Sequence, residues 1–582
     1  MLYYVETVML KRMTKCEEKT MKVYSENKQI ELFNAHYLAS GGDGSVYARE
    51  GVAYKIYTDS SKMISTDKIK ELSVLKKKNI LNPKNILLNT SNKPIGYTMD
   101  HISKTSALCQ VFTKAFRDRN KINNDNIIDL VKNMQTTVDY IHNNNILIVD
   151  LNEMNFLVNE DFNEVYFIDV DSYQTKHFPA TAIMESIRDR HCNGKWSKLT
   201  DWFSFGIVSF QLFIGIHPFK GKHPSLLGFD ERMMANQSVF NKQVTIPKVC
   251  YPFNVIPQSY LDWYKAIFDQ GKRVAPPTDL IPTIIITPII KKITGTHNFD
   301  IKELLSLNEN ISDLFSFNGN TIISTTNNVY LNEKPLNIKT KGATFFGVTP
   351  KKNNFVLGYI ENGHLKLYNC SERQNIEVNL SVDEISNYDG RIYVKTDTDL
   401  MEIEWIEING KPLIPSFRKV ANVHNNSKLF YGVAIQNLLG TYWATVFPSN
   451  KTSYTVKIDN IKGQILDAKF DNKVLIVTTS ISNGKNIDYN KYIIRFDSSY
   501  KTYDIKVRTS NDNSDINFTT LSNGVVCSFN EEKNIVLFKN KKDDILFKVF
   551  EDKEIEDDIK LFKDGNNVLF ILENTLYTLK MK

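Results

Sequence analysis

From about Phe299 to the C terminus one local pattern recurs: a turn rich in Asn, Asp and Gly, a short apolar run, a polar turn, and a second apolar run. Asn318-Gly319-Asn320 leads into Thr321-Ile322-Ile323-Ser324 and then Val329-Tyr330-Leu331. Asp389-Gly390 leads into Ile392-Tyr393-Val394 and then Leu400 to Ile403. Asn523-Gly524 precedes Val525 to Phe529 and Ile535 to Phe538, and Gly565-Asn566-Asn567 precedes Val568 to Leu572 and Leu576 to Leu579. Each unit is a hairpin signal, because Asn and Gly accept tight-turn backbone while β-branched and aromatic residues suit a pleated strand. A unit this small cannot bury its own apolar face, so neighbours must stack.

Similar units fall near Asn354 and Asn472 and between Gly432 and Phe447. A recurrence of about 35–50 residues is the spacing of β-propeller blades, and about seven are expected. The last unit supplies three clear strands. Phe299 to Leu305 resembles the outer strands Thr502 to Val507 and Ile545 to Phe550, and is expected to close the ring from the other end. The alternative is a β-sandwich or two small β domains.

The N-terminal half reads differently, with short strands first and then helical stretches such as Asn126 to His142 and Trp202 to Ile214. Ala275-Pro276-Pro277-Thr278 and the prolines from Pro282 to Pro288 cannot form a regular helix and mark the connection. The expected fold class is therefore α+β followed by all-β. The expected divisions are an extension at 1–32, a mixed domain at 33–279, a linker at 280–298 and the β domain at 299–582. Met21 is a second candidate start.

At 582 residues, 42% hydrophobic and 24% charged, the composition is that of a soluble multidomain protein. A net charge of +6 over this length argues for no nucleic-acid partner. No apolar run reads as a membrane span, no signal peptide is evident, and the six scattered cysteines read as thiols. A cytoplasmic protein is expected.

Four motifs stand in order along the first half. The first is Ala39-Ser40-Gly41-Gly42-Asp43-Gly44-Ser45-Val46, backbone able to approach phosphate oxygens with no Cβ in the way. One hairpin later comes Val52-Ala53-Tyr54-Lys55, and then Glu71 in a helical stretch. Next, Val149-Asp150-Leu151-Asn152-Glu153-Met154-Asn155-Phe156-Leu157 places an Asp and an Asn before a strand. Finally Val165-Tyr166-Phe167-Ile168-Asp169 is an apolar strand ending in an acid. These acids and the amide are hard oxygen ligands of the kind that suit Mg2+.

This order resembles the eukaryotic-like (Hanks-type) protein kinases over about Phe33 to Asp279. The resemblance implies a bilobal fold and a Ser/Thr-type phosphotransferase using ATP and Mg2+. Gly41, Gly42 and Gly44 would cover the phosphates and Lys55 would hold them, fixed by Glu71. Asp150 would take the acceptor's proton, while Asn155 and Asp169 would ligate the metal. Val46, Ala53 and Leu157 would enclose adenine, with its edge on backbone at Met99, Asp100 and His101. Asp201 would cap the catalytic loop, and Arg273 would pair with an acid of the activation segment, for which Glu185 is the candidate.

The sequence also departs from the pattern. Ile148 and Val149 replace the His-Arg pair before Asp150, Asn152 replaces a lysine, and Asp169-Val170-Asp171 replaces Asp-Phe-Gly. The last feature resembles a divergent bacterial and phage branch, and leaves Asp171 as a second metal ligand or a loop acid. A protein substrate and an unidentified protein partner on the propeller are expected. The alternatives are a pseudokinase scaffold and a small-molecule phosphotransferase.

Overall fold

A computed structural model describes residues 20–582, apart from 280–292 and the loop positions 193, 294, 339, 341, 410, 425, 450, 484, 511, 531, 543–546, 553, 556 and 557. Most of the Pro-containing connection thus lies outside the described residues. The part before it is mixed α/β, and the part after it is all β.

The chain begins with strands β1 (Met21–Ser25), β2 (Lys28–Leu32), β3 (Tyr37–Ser40), β4 (Gly44–Arg49), β5 (Val52–Tyr57), β6 (Ile86–Leu88) and β7 (Pro94–Asp100). They form one antiparallel sheet in the order β2-β1-β6-β7-β5-β4-β3. Residues 21–32, read from sequence as an extension, are two strands of this sheet. Helix α1 (Thr66–Leu72), capped by the Ser65 hydroxyl, is short and buries Lys68, Ile69 and Leu72.

A helical body comes next, with α2 (Lys114–Asn120), α3 (Asn124–Asn143), α4 (Lys198–Ile214), α5 (Phe229–Met234) and α6 (Gln258–Phe268). Strands β8 (Ser106–Ala107), β9 (Phe156–Val158) and β10 (Val165–Phe167) make a small sheet against it. Helix α3 starts at a reciprocal box in which Asn123 and Asn126 accept each other's backbone N–H at 3.0 and 3.1 Å. Its buried residues Ile127, Leu130, Val131, Met134, Val138 and Ile141 recur every three or four positions, a stripe aimed at the core. Helix α4 is buried continuously from Thr200 to Ile214 and ends at Gly215, whose φ of 85° is the left-handed stop that glycine allows.

Among the described residues, the all-β part consists of seven four-stranded antiparallel sheets. Six are sequential, at 311–335, 345–376, 384–422, 428–458, 464–510 and 518–550. The seventh joins three strands of 560–581 to Phe299–Ser306, which pairs from Phe299 opposite Met581 to Ser306 opposite Thr575. The strand at Lys560–Asp564 of this seventh sheet also lies against the first strand of the first sheet. Cys109, Cys370 and Cys527 are buried thiols, and among the described residues no helix is long and apolar enough to cross a membrane.

The two parts share a core. Leu466, Ile487 and Tyr489 of the fifth sheet belong to the apolar cluster built from α3, α4 and α6. Polar contacts border them: Gln110 Nε2 donates to Leu466 O at 2.6 Å, Asn513 Nδ2 to Cys109 O at 3.1 Å, and Lys220 pairs with Asp512 at 2.7 Å. Asp515 accepts from the Ala115 N–H at 3.2 Å in the first turn of α2, where a carboxylate is favoured by the helix dipole. Truncating this seam should destabilise the helical body. Leu466→Ala is expected to cost about 2–4 kcal/mol, measured by urea unfolding, with faster amide exchange in α2 and its flanking turns. Unchanged exchange there would mean that the two parts fold independently.

Candidate active site

The geometry of the loop that carries Asp150 starts behind the cleft. Asp201, in the first turn of α4, has 0% exposure. Its Oδ2 accepts from His142 Nε2 at 2.9 Å and from the Ile148 N–H at 2.8 Å, and its Oδ1 from the Val149 N–H at 2.9 Å. Val149 is held at φ 63°, a conformation that β-branched residues avoid, immediately before Asp150. Ile148 and Val149 are themselves buried, so apolar packing stands where the expected pattern has a charged pair.

This turn presents Asp150 to the cleft. Asn152 Nδ2 donates to its Oδ2 at 3.0 Å, and the Met184 N–H donates to its Oδ1 at 2.8 Å. Burial raises the Asp150 carboxyl above its usual range, against the pull of these donors. Asn155 Nδ2 donates to the Asp150 carbonyl at 3.0 Å, so its oxygen is the end available as a ligand. Asp169 closes β10 at φ 59°, and its carboxylate is 37% exposed.

From above, the β3–β4 hairpin carries Gly41, Gly42 and Gly44. A Cβ at Gly41 or Gly42 would meet nothing within 4 Å, so that backbone is open to a ligand, whereas one at Gly44 would lie 2.2 Å from Ile56 O. Gly44 is therefore demanded by strand pairing and the other two by nothing in the protein itself. The β5–β7 register sets Ala53 opposite Met99, with Val46 opposite Lys55 on β4. Leu157 pairs with Tyr166 and Ala107 on the floor.

One cavity of about 2900 Å³ is lined by Gly41, Gly42, Gly44, Val46, Ala53, Lys55, Met99, Asp100, His101, Asp150, Asn155, Leu157 and Asp169. It continues across the first strands of all seven sheets, from Ser312 to Lys563. Of the residues nominated for nucleotide, metal and acceptor, Glu71 alone lies outside it. Its carboxylate accepts from His177, at 2.5 Å from Nδ1 and 3.3 Å from the N–H. The expected Lys55–Glu71 pair is not formed, because each group is taken by another partner, Glu71 by His177 and Lys55 by two acids. One turn earlier on α1, Lys68 occupies the inward position and donates to the Asp171 carbonyl at 2.6 Å. Lys55 instead donates to Asp169 at 2.6 Å and to both oxygens of Asp171 at 2.9 Å.

A second pairing also differs. Arg273 meets Asp189, with both contacts at 2.5 Å, while Glu185 pairs with Arg188 at 2.8 Å and Arg190 at 3.1 Å. Asn152 and Asp189 thus have contacts here that motif order did not assign, and Asp171, left by the sequence as a second metal ligand or a loop acid, pairs with Lys55. For Asp171 a signal existed: two acids at positions i and i+2 after a strand sit near a lysine.

The donors fit the implied groups. Among the described residues no cluster of three His, Cys, Asp or Glu side chains forms a self-sufficient metal site. An Asp169 carboxylate and an Asn155 amide oxygen beside an open glycine hairpin suit a cation that keeps waters and shares phosphate oxygens, as Mg2+ does.

Asp201→Ala would leave two amides and the His142 ring without their acceptor in a site closed to solvent. The variant is expected to lose at least about 3 kcal/mol of stability, from three unmet buried donors at about 1–3 kcal/mol each. Amide exchange at Ile148 and Val149 should rise with it, and no change would mean that Asp201 does not hold the turn. No protein-family model matches this sequence, and no curated protein matches it either.

Proposed function

We propose that the protein is an ATP- and Mg2+-dependent phosphotransferase of the protein-kinase type. In this reading residues 21–279 are its two kinase lobes, and the seven sheets are a propeller that presents a protein Ser or Thr hydroxyl. One observation carries the reading: the residues nominated by motif order for nucleotide, metal and acceptor, Glu71 apart, line a single cavity.

ATP with Mg2+ supplies the transferable phosphoryl group when bound. Gly41 and Gly42 offer backbone that can close on phosphate oxygens. Lys55 provides a fixed positive charge beneath the hairpin, and Asn155 and Asp169 would hold the cation. Asp150 accepts the hydroxyl's proton, and its raised pKa makes it a stronger base than an exposed carboxylate. The Asp201 clamp keeps that base from relaxing out of line.

The propeller bears on the acceptor side. Tyr489 OH donates to Glu153 at 3.2 Å, within the catalytic loop, and the Glu185 N–H donates to Lys485 O at 2.6 Å. Acceptors therefore approach Asp150 through space bounded by both parts. A second reading, a nucleotide-binding scaffold without transfer, is favoured by one contact: the Met184 amide already occupies an oxygen of Asp150.

Transfer of labelled γ-phosphate from ATP with Mg2+, to the protein itself and to a basic acceptor, separates the two. Wild type is expected to incorporate label, with Asp150→Asn lowering the rate by about a hundredfold to ten-thousandfold. Asp169→Asn should abolish the dependence on Mg2+ together with the rate. Equal nucleotide binding in all three proteins without incorporation would establish the scaffold.

A further inference from the structure

We propose that Asp171, the second acid of the Asp-x-Asp turn, is the positioning residue that anchors Lys55, the role expected of Glu71. The inference rests on the phosphotransferase reading for its purpose, though not for its test.

Both oxygens of Asp171 are committed to the protein. Each accepts from Lys55 Nζ at 2.9 Å, and Oδ2 also accepts from the Tyr57 hydroxyl. Tyr57 lies two positions after Lys55 on β5 and so shares its face. The ammonium sits 5.4 Å from the Tyr57 ring centroid and 5.7 Å from that of Tyr97, the residue opposite Lys55 on β7. Asp171 is 7% exposed and does not line the cavity, whereas Asp169 does. The two acids of the turn are thereby divided: Asp169 faces the cleft, and Asp171 faces the back of the lysine.

This geometry gives Asp171 a role beside the two that the sequence left open, since its carboxylate is turned to Lys55 and Tyr57 and is largely shielded from solvent. It also couples three elements through one turn, Val170–Ser172. Lys68 of α1 donates to the Asp171 carbonyl, Lys55 of β5 to its carboxylate, and Asp169 immediately precedes the turn. Ordering that turn sets the phosphate-facing lysine and the cleft-facing acid together. In the expected arrangement a separate helix would have to swing in to complete the pair.

The test uses the full-length protein without nucleotide. Lys55 acylation by acetic anhydride is followed by peptide mass spectrometry in wild type, Asp171→Asn, Asp171→Glu and Glu71→Gln. Asp171→Asn should raise the labelling rate of Lys55 about tenfold by weakening its hold on the ammonium, with the Asp169 contact left in place, a change of about one decade or 1.4 kcal/mol. Asp171→Glu should restore part of the protection, and Glu71→Gln should label as wild type does. Wild-type labelling in Asp171→Asn, or equal deprotection in Glu71→Gln, overturns the assignment.

Should Asp171→Asn fail to fold, the double variant Lys55→Met/Asp171→Asn should recover folding, because the under-paired charge leaves with its partner. A double variant that is as unfolded as Asp171→Asn overturns the proposal. Affinity for ATP is measured in parallel. Predicted labelling with no ATP binding in wild type would sink the phosphotransferase reading and leave the Lys55–Asp171 anchor standing.

Discussion

Three hydrogen bonds converge on the Asp201 carboxylate, and the cleft is hung from them. They join the end of α3 through His142, the start of α4 through Asp201 itself, and the turn at Ile148 and Val149. The turn needs such a fastening. A left-handed valine costs on the order of 1–3 kcal/mol, while hydrogen bonds to a charged acceptor contribute about 1.5–3 kcal/mol each. Burial makes the arrangement one-sided, since any relaxation would leave a carboxylate without donors in a site that water does not reach. Asp150 inherits its direction from this balance, and Asn155 in turn from the Asp150 carbonyl.

The roof of the cleft is organised by charge rather than by strain. Lys55 and Lys68 bring two ammonium groups, and Asp169 and Asp171 bring two carboxylates. Desolvation and the neighbouring acid push Asp169 up to about 6, while Lys55 pulls against them. At Asp171 burial acts in the same upward direction, yet Lys55 draws the group below the usual carboxylate range. Replacing such a group of charges by apolar residues need not reduce stability, so its value lies in fixing which groups face which. Here it turns one acid toward the cleft and one away from it.

The same logic of position applies to the junction with the all-β part. Apolar residues of the fifth sheet complete the core of the helical body, and polar contacts border them. Tyr489 reaches Glu153, three residues after Asp150, so the seam is continuous with the candidate site. In the proposed reading, acceptor choice and catalysis are therefore parts of one surface and not duties of two separable modules.

Much of this was legible in the chain. Local rules determined the hairpins at Asn318-Gly319 and Asp389-Gly390, the stop at Gly215, the stripe along α3 and the order of motifs from Gly41 to Asp169. Each depends on a few neighbouring residues whose backbone freedom and apolar spacing are fixed by their chemistry. The pairing of Phe299–Ser306 with the last strand was also foreseeable, because only three strands were evident in the final unit. Charge partners were not legible. Lys55 was expected to meet Glu71 and Arg273 to meet Glu185, whereas Lys55 meets Asp169 and Asp171 and Arg273 meets Asp189. Carboxylates are alike in sequence, and what selects among them is a distance of a few ångströms set by Lys68 on α1 and by the irregular segment after β10. The sequence alone determined most of the elements that form and which side chains are candidates for chemistry. Only the tertiary structure decided which of those side chains meet, because electrostatic and hydrogen-bond energies depend on separation and burial in space, not on order along the chain.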